Sequence, residues 1–179
     1  MNDLINKTNK ILFDMGLVEK LRTYGETHIV GSYMTDTMAW NDIDIYISNE
    51  EMSLDRLYEI SYYVLEVFRP CWYEAKQDEL EDGKIVWFHG FETMIMGELW
   101  NIDLWFLDKG EIEVAEDYIK YVLNAIEKEP EIREHIINLK KELIGKGLYP
   151  NTYTSMSVYN AVIEHNVTTV EMFVELQSR

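Results

Sequence analysis

"HIVGSYMTDTMAWNDIDIYIS", His28 to Ser48, is the stretch whose reading decides the fold. An apolar run ends in Gly31-Ser32, nine residues follow, and an apolar strand then carries Asp42 and Asp44 one residue apart. Side chains on a strand alternate between faces, so Ile43, Ile45 and Ile47 share one side while Asp42, Asp44 and Tyr46 share the other. Two carboxylates about 7 Å apart on one face repel each other, and their pKa values rise unless a cation lies beside them. The expected cation is Mg²⁺, a hard ion that takes oxygen ligands from one or two carboxylates and completes its shell with substrate phosphates.

A third acid sits in the same setting further along. In "LWNIDLWFLD" (99–108), Asp103 lies between Ile102 and Leu104 and so projects opposite to apolar neighbours. If the two strands are adjacent, Asp42, Asp44 and Asp103 converge, and three carboxylates can hold two metal ions that stabilise both the attacking and the leaving oxygen at phosphorus. Gly31 then has a purpose as the point where the backbone turns sharply and approaches a ligand. The Ser32 hydroxyl and the amides after it are donors for phosphate oxygens.

Gly-Ser, nine residues, Asp-Ile-Asp and a later strand aspartate together resemble the nucleotidyltransferase superfamily, which includes DNA polymerase beta and the kanamycin and lincosamide nucleotidyltransferases. The resemblance covers about residues 27 to 108. It implies a mixed sheet flanked by helices, dependence on two Mg²⁺ ions, and transfer of a nucleoside monophosphate from ATP or another nucleoside triphosphate with loss of pyrophosphate. Position by position, it implies Gly31 and Ser32 as the phosphate-binding pair, Asp42 and Asp44 as metal ligands, and Asp103 as the third carboxylate, beside the acceptor hydroxyl. The chain departs from the pattern in having Thr35 and Asp36 where many small members have arginine and glycine, and Asn41 where many have serine.

Outward from this stretch, the coarse order is helix, strand, strand, helix, three strands, then helices. Leu4, Ile5, Ile11, Leu12, Met15 and Val18 recur at helical spacing and predict one amphipathic helix ending near Gly25. "THIVGS" (27–32) and "DIDIYIS" (42–48) read as strands. Ser53 reads as the N-cap of a helix that Pro70 closes. "CWYEAKQ" (71–77), "KIVWFHGFETMI" (84–95) and "LWNIDLWFLD" add three strands, with Asp82-Gly83 as a hairpin turn and Gly97 as the next. Helices are predicted over 111–128 and 131–147, with Pro130 at the first helical position of the latter, and over 157–166 and 169–177, where Thr168 and Glu171 have capping-box spacing. The fold class expected is α/β (α+β), a mixed sheet of about five strands flanked by helices. The division expected is a catalytic unit over 1–110 and a helical subdomain over 111–179 packed on it.

Composition narrows the function classes. The chain has 179 residues, and its 47% hydrophobic and 27% charged shares suit an ordinary globular protein. No apolar run is long enough to span a membrane, and the first ten residues predict no secretory leader. A single cysteine, Cys71, excludes an internal disulfide, suits the cytoplasm and reads as a small buried hydrophobe. The net charge of −17 opposes nucleic-acid binding and favours a cationic or neutral small-molecule hydroxyl acceptor such as an aminoglycoside. His28, His89, His135 and His165 are too scattered for a zinc motif. Trp87 and Trp100 read as core, while Trp105 shares the face of Asp103 and is placed to stack on a ligand. Lys140 is the candidate cation for the triphosphate, with Lys141 beside it, although "LKKEL" also suits an exposed helical face. Two other readings stay open: an antitoxin-like partner of a helical toxin, and a fold that binds nucleotide without turnover.

Overall fold

Residues 3–80 and 82–178 are described by a computed structural model of the chain. Its centre is a five-stranded sheet built from β1 (Thr27–Ile29), β2 (Asp42–Ser48), β3 (Trp72–Glu79), β4 (Ile85–Ile95) and β5 (Glu98–Leu107). The strand order is β1-β2-β5-β4-β3. β2 runs parallel to β5 and every other neighbouring pair is antiparallel, so the mixed sheet flanked by helices that the sequence predicts is the one that forms. The alternation read from "DIDIYIS" also holds. Ile43, Ile45 and Ile47 are fully buried on one face, where Ile102, Leu104 and Phe106 continue the layer. That face is covered by α1 (Asp3–Asn9) and the turn after it, α2 (Leu17–Leu21) and α4 (Leu54–Val67), a layer that buries Ile11, Leu12, Leu17, Val18, Leu57, Ile60 and Val64 against it.

The N-terminal segment is not the single helix its periodicity predicts. After α1 the chain widens into a π-helical turn over Lys10–Asp14, and Gly16, at φ 77°, adopts a left-handed conformation before α2 restarts. The widened turn shifts the helical phase, so Ile11 and Leu12 stay inside while Met15 is left 41% exposed. β1 likewise stops short of Gly31, which opens the short helix α3 (Gly31–Met34).

On the other face, α5 (Lys109–Lys128) packs against β2 and leads into α6 (Glu131–Gly145), α7 (Ser155–His165) and α8 (Val170–Gln177). They share a second apolar cluster that includes Val122, Ile136, Leu143, Val158 and Phe173. Caps fix their starts. Ser53 caps α4 as expected, Asp108 caps α5 two residues earlier than the pattern suggested, and Pro130 is the cap of α6 and not its first turn. Thr169, not Thr168, caps α8, its hydroxyl accepting from the Met172 amide, so the Thr168–Glu171 capping box does not form. Cys71 is exposed, not buried, because it lies at the start of edge strand β3, where its thiol donates to the Glu92 carbonyl at 3.3 Å. Among the described residues no helix is long and apolar enough to cross a membrane.

Candidate active site

The parallel pairing of β2 with β5 puts Asp44 directly opposite Asp103 and Asp42 opposite Asn101. Paired residues share a face, so the three carboxylates stand on one side of adjacent strands. Each carboxyl has a raised pKa, with burial as the first cause. For Asp44 the charges of Asp42 and Asp103 add to it and carry the pKa well above the ordinary range. Asp42 is also raised, against the Asn101 hydrogen bond and the Lys140 charge. Asp103 is pushed up to about 6 by burial and then by Asp42, with a smaller contribution from Glu74. Asn101 Nδ2 donates to Asp42 Oδ1 at 2.9 Å, and its amide favours the anionic form of Asp103 as well.

Gly31 explains the start of the motif. At φ 68° it is left-handed, and a Cβ there would run into Asp44 Oδ2. Only glycine lets the chain pass over this carboxylate. The Val30 amide hydrogen-bonds the Asp44 carbonyl at 3.0 Å, and the Thr37 amide returns to the Ser32 carbonyl at 2.9 Å, closing the loop over the end of β2. Ser32 is itself buried.

A cleft of about 490 Å³ opens between this end of the sheet and the helical group. Gly31, Asp42 and Asp44 line one wall, while Tyr118 of α5, Tyr149 and Tyr159 of α7 line the other. Ser32, Asp103, Trp105 and Lys140 are not among its lining residues. Trp105 stands on the Asp103 face as the alternation required, with its ring packed on Phe88 at 4.4 Å between centroids. Trp87 and Trp100 are core, as read from the sequence.

The "LKKEL" pair divides. Lys141 is exposed, whereas Lys140 is 1% exposed and donates to Tyr159 Oη at 3.0 Å, its ammonium 4.4 Å from the centre of that ring. Tyr159 Oη in turn bonds Thr37 Oγ1 at 2.8 Å, and Thr37 bonds Thr35 at 2.7 Å. A buried chain of polar groups thus ties α6 and α7 to the loop that follows Gly31-Ser32. From this position Lys140 lowers the pKa of both Asp42 and Asp44. It is their buried counter-charge. Asp36 is offset differently, by Arg133 of α6 at 2.7 Å.

The donor set suits Mg²⁺. It consists of carboxylate oxygens, which hard divalent ions prefer, and their raised pKa values mark a deficit of positive charge. No group among the described residues donates a hydrogen bond to the Asp44 carboxylate. Among the described residues, no group of three His, Cys, Asp or Glu side chains is placed to hold a metal ion, so the expected convergence of Asp42, Asp44 and Asp103 on one ion is not formed by the protein alone. Mg²⁺ does not need a complete protein cage, since it retains water or substrate phosphate in much of its shell.

Sequence reasoning missed Asn101, Thr37 and the three tyrosines. Asn101 was detectable, because it lies two residues before Asp103 and therefore on the same face. The tyrosines carried no local signal, as their role depends on how the helices fold back.

No family model matches the sequence, and no curated protein matches it. Solved structures do share the fold. The chain is similar to the Cid1 poly(U) polymerase in a form with Mg and 3′-dATP bound, with a TM-score of 0.58 and 13% identity, over 90% of this chain and 48% of that one. It is also similar to GLD-2 in its complex with RNP-8, with a TM-score of 0.50 and 12% identity, over 91% of this chain and 59% of that one. The chain therefore has a nucleotidyltransferase-like fold and spans about half the length of these structures.

Proposed function

We propose that the protein is a Mg²⁺-dependent nucleotidyltransferase that moves a nucleoside monophosphate, AMP from ATP in the simplest case, onto a hydroxyl of a small amine-bearing acceptor. The observation that carries the reading is the pairing of Asp103 across β2 and β5 with Asp44, which lines the tyrosine-walled cleft beside the glycine whose side chain would collide with it. The fold likeness and the Mg and nucleotide held by the Cid1 structure support it. In this reading residues 1–110 supply the chemistry and the helices of 111–179 close the donor side.

The roles follow from position. Asp42 and Asp44 would hold the metal, with Asp103 as a further ligand, and the ions would supply positive charge against the triphosphate. Gly31 admits the phosphates close to the backbone, and Ser32 with the following amides anchors them. Lys140 is the cation on the helical side. The acceptor hydroxyl oxygen attacks the α-phosphorus, forming a new P–O bond while the bond to the oxygen bridging to the β-phosphorus breaks. The hydroxyl proton passes to Asp103, and pyrophosphate leaves with the bond electrons. The cleft's apolar and aromatic wall suits a nucleobase, which tyrosine rings take by stacking.

The likeness to a poly(U) polymerase favours a second reading, in which the acceptor is an RNA 3′ end. The net charge of −17 counts against it, since polyanion binding relies on Lys and Arg replacing counterions. Pyrophosphate release separates the two. With Mg²⁺ and ATP, an aminoglycoside or lincosamide acceptor should produce pyrophosphate in the wild type and at least 100-fold less in Asp103→Asn, while a single-stranded RNA oligonucleotide should produce none. Release with RNA alone would establish the second reading. An inactive, stoichiometric complex with a co-purifying helical protein would point to the partner role.

A further inference from the structure

β3 is an outer strand of the sheet, and among the described residues no strand pairs with its free edge. The hairpin sets which of its backbone groups face that edge. The Leu80 amide bonds the Lys84 carbonyl at 2.8 Å, and bonded positions in an antiparallel ladder recur at every second residue, so Glu74, Lys76 and Asp78 direct their backbone groups to β4. The N–H and C=O groups of Tyr73, Ala75 and Gln77 point outward. Such an edge is a template for another strand.

α4 presents an apolar stripe on the same side. Leu54, Tyr58, Ser61 and Leu65 recur at i, i+4, i+7 and i+11 and so share one helix face. Ser61 accepts the Tyr73 hydroxyl of β3 at 2.6 Å, which turns that face towards the edge strand. Leu54 is 55% exposed, Tyr58 69% and Leu65 49%, although Leu57, Ile60 and Val64 of the same helix are buried. Trp72, at the start of β3, is exposed as well. Single exposed apolar residues are ordinary, but a stripe aligned with an unpaired strand edge marks an interaction surface.

Charge selects the occupant. Charged side chains ordinarily blunt an edge. On β3 they alternate in sign along one face, with Lys76 3.6 Å from Glu74 and 4.0 Å from Asp78. Antiparallel pairing of β3 with its own copy, about a two-fold axis at Ala75, sets Glu74 opposite Lys76 of the copy and Lys76 opposite Glu74. Every residue from Trp72 to Asp78 is then paired, and the outward backbone groups of Tyr73, Ala75 and Gln77 are satisfied. An axis at Glu74 or Lys76 would oppose like charges, and one at Gln77 would pair only Ala75 to Glu79 within the strand. We infer that the protein forms a two-fold dimer through β3, which joins two five-stranded sheets into one, with the α4 stripes meeting beside the seam. The inference is independent of the nucleotidyltransferase reading, because β4 and β3 separate the carboxylate-bearing strands from the seam. The net charge of −17 on each copy opposes association at long range, and salt screens it beyond about 8 Å at physiological ionic strength, so the dimer weakens as salt is lowered.

The test is sedimentation equilibrium at physiological ionic strength over a range of protein concentrations, with the fold of every variant checked by circular dichroism. The wild type should approach twice the 21.2 kDa of one chain. Ala75→Pro removes an outward N–H that the monomer's own sheet does not use, and should weaken the dimer at least tenfold. Tyr58→Ser should weaken it severalfold. Glu74→Lys and Lys76→Glu should each weaken it at least tenfold by setting like charges across the seam, the former despite lowering the net charge, and combining the two should restore most of the loss. A single-chain mass at every concentration, a dimer indifferent to these variants, or a double reversal no tighter than the single ones overturns the inference. Pairing of this edge with a different protein by a chain that stays monomeric on its own also overturns it. Should Ala75→Pro fail to fold, the charge reversals decide the question, since both side chains lie at the surface.

Discussion

Asp44 carries the highest electrostatic cost in the site. It is raised by burial and by both neighbouring carboxylates, and only Lys140 opposes them. A carboxyl whose folded pKa lies above its unfolded value contributes stability while protonated, and loses that contribution as pH rises from about 4 through the folded pKa. At neutral pH without divalent ions the charge therefore works against the fold. Asp44→Asn, measured by thermal melting at pH 7 in a chelator, should raise Tm by about 3 °C or more, the shift that about 1 kcal/mol produces in a chain of this size. Added Mg²⁺ and nucleotide should stabilise the wild type and not the variant. A fall in Tm would mean that the Asp44 charge is already compensated. This residue was legible in the sequence because period-two alternation fixes its face without any tertiary knowledge. Lys140 was legible only as one of two adjacent lysines, since helical periodicity around "LKKEL" does not reveal that one meets a buried tyrosine and the other solvent.

Elements differ in how much of themselves they wrote into local sequence. β2 and β5 are alternating strands with buried apolar faces, and they were identified from pattern alone. The periodicity of the N-terminal segment predicts one continuous helix because apolar spacing alone marks neither the π-helical turn, which shifts the phase and leaves Met15 outside, nor the left-handed Gly16 before α2. The cap of α8 slipped by one residue because two threonines adjoin and only backbone geometry selects Thr169. β4 carries a feature that no pattern announces. His89 is fully buried, its Nδ1 is 2.8 Å from Tyr73 Oη, and Tyr73 donates to Ser61 of α4 at 2.6 Å. Because the tyrosine proton is committed to Ser61, Nδ1–H must donate, leaving Nε2 as a bare lone pair, which fits its lack of a partner among the described residues. Burial pushes the His89 pKa down to about 4, so the unfolded chain takes up a proton near pH 6.5 while the folded one refuses it until about 4. Stability from neutral His89 is thus present above pH 6.5 and lost as pH falls towards 4, by about 3 kcal/mol. Urea denaturation of wild type and His89→Gln should show the wild-type advantage shrinking by about that amount between pH 7 and pH 4. A pH-independent difference would contradict it.

At the scale of the whole molecule, a sheet with one face packed by α1, α2 and α4 presents its carboxylates on the other face, and α5, α7 and the segment leading into α7 fold back to wall the cleft. That return was not legible. Helical stretches after residue 110 were clear, but the meeting of Tyr118, Tyr149 and Tyr159 with Asp42 depends on contacts more than seventy residues apart in sequence, which period and composition do not encode. The Lys140–Tyr159–Thr37 chain couples the halves, so nucleotide bound in the cleft would touch both. The central claim is that the Gly-Ser turn and the aspartate pair form a Mg²⁺-dependent nucleotide site, and the most direct measurement is calorimetric titration with a non-hydrolysable ATP analogue, with and without Mg²⁺. Wild type should bind only with Mg²⁺, and the double variant Asp42→Asn plus Asp44→Asn, folded by circular dichroism, should lose at least 100-fold in affinity. Binding that ignores Mg²⁺ or survives the double substitution would contradict the account.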